Sequence, residues 1–200
     1  METLVQKRLL DNRELKIKNS KLTYHDSRVG SRSIDLNIPF EEISNTKVSH
    51  TYSEYIILLA SGVCFFLSLV SFINRNDKDS STLIWIILAA AGIFGLIYFW
   101  IKRENSWKIR LGAGASIYIH KNIPDSQTVD KFIDSLFESR DKYLRQEYMT
   151  FDPKLNYDNQ YHNLKWLLSS DIISKDEFEA KYDELRQLYN SDKTIKGFSG

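Results

Sequence analysis

Two hundred residues leave room for one or two domains. Lys plus Arg number 27 against 26 Asp plus Glu, and so even a balance argues against a nucleic-acid partner, which needs an excess of clustered cations. A single cysteine, Cys64, excludes an intramolecular disulfide framework, and the four histidines (His25, His50, His120, His162) are scattered without metal-ligand spacing.

The chain opens with METLVQKRLLDNRELKIK, which has no apolar stretch of seven or more residues and so argues against a cleavable signal peptide. Apolar residues then alternate: Leu15 and Ile17, Leu22 and Tyr24, then Ile34, Leu36 and Ile38. Period-two alternation predicts strands with one buried face. A weaker strand is expected near Thr46 to Thr51. Turn signals separate these segments at Asn19-Ser20 and from Asp26 to Gly30.

Two uncharged runs follow, YIILLASGVCFFLSLVSFI from Tyr55 and TLIWIILAAAGIFGLIYFWI ending at Ile101. The mean hydropathy of the whole chain, -0.35, averages them away. A helix of about 20 residues covers roughly 30 Å, the hydrocarbon thickness of a bilayer. The connector NRNDKDSS is short, so the two helices are expected antiparallel, with both flanks on one membrane face. Tyr52, Tyr55, Tyr98, Trp100 and Trp107 would form an aromatic belt there, beside Lys102 and Arg103. The cation excess over the connector (Arg75, Lys78 against Asp77, Asp79) favours both termini in the cytoplasm. Small residues, Gly62 on the first helix and Ala91, Gly92 and Gly95 on the second, are candidates for close helix packing. No ionisable group lies at membrane depth to serve a proton or ion path.

Alternation resumes with Trp107, Ile109 and Leu111, then Ile117 and Ile119, across a turn at GAGAS. After Pro124-Asp125 the positions Val129, Phe132, Ile133, Leu136, Phe137, Tyr143 and Leu144 repeat at helical spacing. A one-sided helix and a one-sided sheet each need a cover. Residues 1–54 and 105–148, about 98 in all, are therefore expected to fold as one α+β domain, with residues 55–101 a transmembrane hairpin inserted between strands.

ELKIKNSKLTYHDSRVGSRSIDLNIPFEEISN resembles the start of a bacterial pleckstrin-homology-like domain, and SWKIRLGAGASIYIHKNIPDSQTVDKFIDSLFESR is similar to that fold's closing strands and C-terminal helix. The resemblance covers about half of the chain and implies seven strands in an antiparallel roll, of which six are legible. It also suggests lipid headgroups as an alternative ligand, at Lys102, Arg103, Lys108 and Arg110.

Residues 149–158 form a linker interrupted by Pro153. Residues 159–190 are expected to form a helical hairpin, and residues 191–200 a disordered tail. Ser174 and Glu177 have capping-box spacing, which starts a helix near Lys175. DIISKDEFEAKYDEL resembles the SHOCT (short C-terminal) domain found at the ends of many bacterial proteins, with Asp171 in place of the usual glycine and Ser174 in place of the usual threonine. A hairpin of this size buries too little surface to stand alone. Its stripe, Leu164, Leu168, Phe178, Tyr182 and Leu185, must dock on its own domain, on another copy or on a different protein.

With no nucleophile–base pair legible, the expectation is a non-enzymatic scaffold without cofactor, anchored in the bacterial inner membrane. It would self-associate or recruit another membrane-associated protein. The other alternative is an oligomerising, bilayer-perturbing effector of stress or defence.

Overall fold

The alternating segments pair as two antiparallel sheets in the computed structural model, which describes residues 2–9, 11–30, 32–53, 55–73 and 81–196. The first sheet contains β1 (Thr3–Lys7), β2 (Asp11–Ile17), β3 (Lys21–Arg28) and β4 (Ile34–Pro39), in that spatial order. In register, Leu15 faces Tyr24, and Tyr24 faces Leu36. Gly30, at φ +79°, supplies the left-handed residue between β3 and β4.

A 3-10 turn at Phe40–Glu42 leads into β5 (Ile43–Tyr52), which neighbours β6 (Glu104–Leu111) and then β7 (Ser116–His120) in the second sheet. The segment between β5 and β6 holds α1 (Tyr55–Ile73) and α2 (Ser81–Lys102). Residues 49–106 form one compact unit, and residues 1–48 with 107–200 form the other.

In the larger unit, α3 (Ser126–Tyr148) begins on Asp125, whose carboxylate accepts from the Thr128 N–H at 2.8 Å. The bonds from Thr128 hold that carboxyl below its usual range. Val129, Phe132, Ile133 and Leu136 join Leu15, Leu22, Phe40, Ile43, Ile109, Ile117 and Ile119 in one core. The helix thus covers strands contributed from both sides of the inserted segment, as the unpaired apolar faces require.

Seven strands are present among the described residues, one more than alternation reveals. β1 escapes notice because its two inward positions are Leu4 and Gln6, both buried, and a glutamine breaks the apolar rhythm. Trp107, expected in an aromatic belt, instead packs against the core, with Lys47 and Lys121 ammonium groups 4.9 and 4.2 Å from its ring.

The C-terminal pair is α4 (Tyr157–Ser169) and α5 (Lys175–Lys196). Helix continues through Lys196, where a disordered tail was expected from Ser191, since no helix breaker precedes Gly197. Residues 197–200 and the connector residues 74–80, with Arg75, Asp77, Lys78 and Asp79, lie outside the described residues.

In the smaller unit, α1 and α2 are long and apolar enough to cross a membrane, and only 11% and 6% of their apolar windows are buried. A pair of core helices would be covered; these present Ile56, Phe66, Phe94 and Trp100 outward.

Candidate functional site

Three constructions carry chemistry or contact, and the first lies inside the strand domain. Inward positions of β2 and β3 hold Asp11, Arg13 and Asp26, where alternation calls for apolar residues. Arg13 is 0% exposed, its guanidinium 3.4 Å from the Asp11 carboxylate and 3.6 Å from that of Asp26. The Tyr24 hydroxyl and Arg28 donate to the second Asp26 oxygen at 3.2 and 3.3 Å. Burial and the Asp26 charge push the Tyr24 phenol well above its usual range.

From the other side of the inserted helices comes β7. His120 Nε2 lies 3.1 Å from Asp11 Oδ2, and Arg13 donates to the Tyr118 carbonyl at 3.3 Å. Gln6 pairs with the β7 backbone as a strand would: its amide donates to the His120 carbonyl at 2.8 Å and accepts from the His120 N–H at 2.9 Å. This cluster fastens the two sequence halves together. Chemically it positions a His–Asp pair, shut away from solvent, and no sequence pattern singled it out beyond polar residues at inward strand positions.

The second construction is the C-terminal hairpin, seated on the last turns of α3. Leu164, Leu167, Ile172 and Ile173 cluster with Leu144, and the Trp166 ring meets that of Tyr148 edge-on at 5.6 Å. Arg145 donates to both oxygens of Glu177 at 2.7 and 3.3 Å and to the Ile172 carbonyl at 2.5 Å. The capping box forms as its spacing implies: Glu177 N–H donates to Ser174 Oγ, and the Ser174 N–H donates to Glu177.

Of the five stripe residues, Leu164 and Leu185 are fully buried, so they hold the hairpin rather than offer surface. Leu168, Phe178 and Tyr182 stay half-exposed. Phe178 and Tyr182 stack at 6.0 Å, and Tyr161 lies 5.4 Å from Tyr182. Arg186 covers the Tyr182 ring at 5.6 Å.

Asp171 takes φ +55°, the left-handed conformation that glycine adopts without strain. The cost to an L-residue there is about 1 kcal/mol. Asp171→Gly is therefore expected to raise the stability of the docked hairpin by a similar amount, read as an upward shift in its urea midpoint.

The Arg145 bonds and the Ser174 cap lower the Glu177 carboxyl from its usual 4.5 to about 2. A group depressed in the folded state stabilises it above the unfolded value, and that contribution is lost as pH falls. Hairpin docking should thus be constant above pH 4.5 and weaken between there and about pH 2. Glu177→Gln should flatten this dependence, measured by hydrogen exchange of the α5 amides.

The third construction is the helix pair of the smaller unit. Gly92 and Gly95 meet α1: an added Cβ on Gly92 would stand 2.7 Å from Phe65, and one on Gly95 would strike Ser61. Ser68 Oγ donates to the Trp85 carbonyl across the pair at 2.9 Å. The other two candidates lie elsewhere. Gly62 has open space at its Cβ and Ala91 is exposed, because a helix places neighbouring positions about 100° apart.

Tyr55 at the start of α1 lies 6.4 Å from Phe99 near the end of α2, so the helices run antiparallel. Tyr52, Tyr55, Tyr98 and Trp100 are exposed, and Lys102 Nζ sits 5.8 Å from the Tyr98 ring. Arg103 is exposed beside it.

Among the described residues no group of His, Cys, Asp or Glu forms a metal-holding cluster. No match to this chain was found among protein-family models, characterised proteins or solved structures.

Proposed function

We propose that this chain is a membrane-anchored, non-enzymatic interaction module. In this reading a pleckstrin-homology-like domain is split by a two-helix membrane hairpin, which holds the domain and both termini at the cytoplasmic face of a bacterial inner membrane. A SHOCT-like hairpin completes it, self-associating or recruiting a second membrane-associated protein.

The observation that carries the reading is the aromatic ridge of the hairpin. Folding back onto α3 consumes Leu164, Leu167 and Ile172 yet leaves Leu168, Phe178 and Tyr182 partly open, beside the exposed guanidinium of Arg186. Tyrosine and arginine, here Tyr182 and Arg186, are among the side chains that dominate binding energy in protein interfaces. The neighbouring β5 and β6 would hold the ends of the membrane hairpin together.

Phe178→Asp tests it. The mass of the full chain in mild detergent should fall towards that of a monomer, or a co-purifying partner should be lost, while the helical circular dichroism stays unchanged. An unaltered assembly with the charged residue in place would remove the ridge from this role.

A further inference from the structure

A strand that ends a sheet leaves a row of main-chain donors and acceptors unpaired, and proteins usually close such edges. In the larger unit β1 and β7 close on each other through side chains. Gln6 takes up the His120 N–H and carbonyl, and Arg13 takes up the Tyr118 carbonyl. β4 ends the first sheet on its other side, and among the described residues no strand lies along its far edge.

The core face of β4 is also left open. Ile38, Leu36 and Ile34 stand opposite Leu22, Tyr24 and Asp26 of β3, which are all buried, and opposed residues share a face. Ile38 is buried with them, yet Leu36 is 40% and Ile34 50% exposed. A groove of about 330 Å³ runs beside these two, lined also by Tyr24 and by Ile117 and Tyr118 of β7. The sheet lacks one strand to cover its own apolar side chains.

The strand that fits is β4 itself. Antiparallel pairing of two copies about a two-fold axis at Leu36 sets Leu36 against Leu36, and Ile34 against Ile38 of the other copy, so apolar residues meet on the core face. On the outer face Asp35 meets Asn37. His25 Nδ1 lies 2.5 Å from Asp35 Oδ1, and Asn37 Oδ1 accepts from Thr23 at 3.3 Å. That leaves a carboxylate oxygen of one copy to accept from the side-chain amide of the other. An axis at Asp35 would instead oppose two carboxylates, and like charges directly opposite destabilise a sheet. An axis at Asn37 would set Asp35 against Pro39, which has no N–H to pair.

We propose that two copies of this chain join edge to edge through β4, in the register centred on Leu36, as one continuous antiparallel sheet. The contact is separate from the aromatic ridge and does not depend on what the ridge binds.

The test is disulfide mapping of the full chain in membranes, in a Cys64→Ala background that removes the single native thiol. Leu36→Cys should give a covalent dimer on mild oxidation, because opposed residues of paired strands have Cα atoms about 4.5–5.5 Å apart, within disulfide reach. Coexpressed Asp35→Cys and Asn37→Cys should link to each other. Either alone should not, since its own counterpart lies beyond about 7 Å. Both positions are exposed, so this pair serves equally if Leu36→Cys fails to fold. Ile34→Lys puts a charge on the edge and should abolish every link. The links should form as well in Phe178→Asp, which tells this contact from one made by the ridge. No link at position 36 and none between 35 and 37 would overturn the proposal. So would equal linking by 35 or 37 alone, a bond to a different protein instead, links untouched by Ile34→Lys, or links lost in Phe178→Asp.

Discussion

Arg13→Leu is expected to cost the domain about 3–5 kcal/mol, the loss typical when one partner of a buried ion pair is removed. That is a large share of the roughly 5–15 kcal/mol that holds a domain together. The leucine leaves Asp11 and Asp26 buried without the guanidinium beside them and releases the Tyr118 carbonyl of β7. Urea unfolding of the chain in detergent, followed through the β-sheet signal, gives the number. Adding Asp11→Asn and Asp26→Asn to the same chain should recover part of the loss, because neutral amides do not demand a cation. A shift below about 1 kcal/mol in the single variant would mean that the cluster is not a structural fastener.

Leu164→Ala is expected to release the C-terminal hairpin. The removed side chain is fully buried in the cluster shared by α4, Ile172, Ile173 and Leu144, and such truncations cost about 2–5 kcal/mol. A two-helix unit without disulfide or metal has little stability to spare. The strand domain, whose core residues lie in a separate cluster, should keep its unfolding midpoint. Limited proteolysis reads the outcome: cleavage at residues 149–156 should accelerate by an order of magnitude or more, tracking the open population. Cleavage at the wild-type rate would show that the hairpin is held by something other than this cluster.

Much of the architecture is legible in the sequence wherever one physical period dominates. The capping spacing of Ser174 and Glu177 places the start of α5 at Lys175, and the apolar repeat from Val129 marks α3. That repeat conceals a division of labour, however. Val129, Phe132, Ile133 and Leu136 cover the sheets, whereas Leu144 belongs to the hairpin cluster. Periodicity reports that a face is buried, not what buries it.

The buried ion cluster was hidden for a related reason. Gln6, Asp11 and Arg13 occupy inward register with polar side chains, and partners on β7 help to make that burial tolerable. Those partners lie more than 100 residues away in the chain. Small residues in the apolar helices had no phase to choose among them, so Gly92 and Gly95 met α1 while Gly62 and Ala91 did not.

That the segments flanking the apolar helices build one domain is tested most directly by zero-length carbodiimide cross-linking of the full chain in membranes. Lys47 of β5 lies before the inserted helices and Asp130 of α3 after them, with Nζ 2.8 Å from Oδ1. An intramolecular amide between these two side chains, identified by mass spectrometry and lost in Lys47→Arg, is the expected result. If Lys47 is instead joined only to sequence neighbours or to other molecules, the flanks do not fold together and the fastening by Arg13, Gln6 and His120 is wrong.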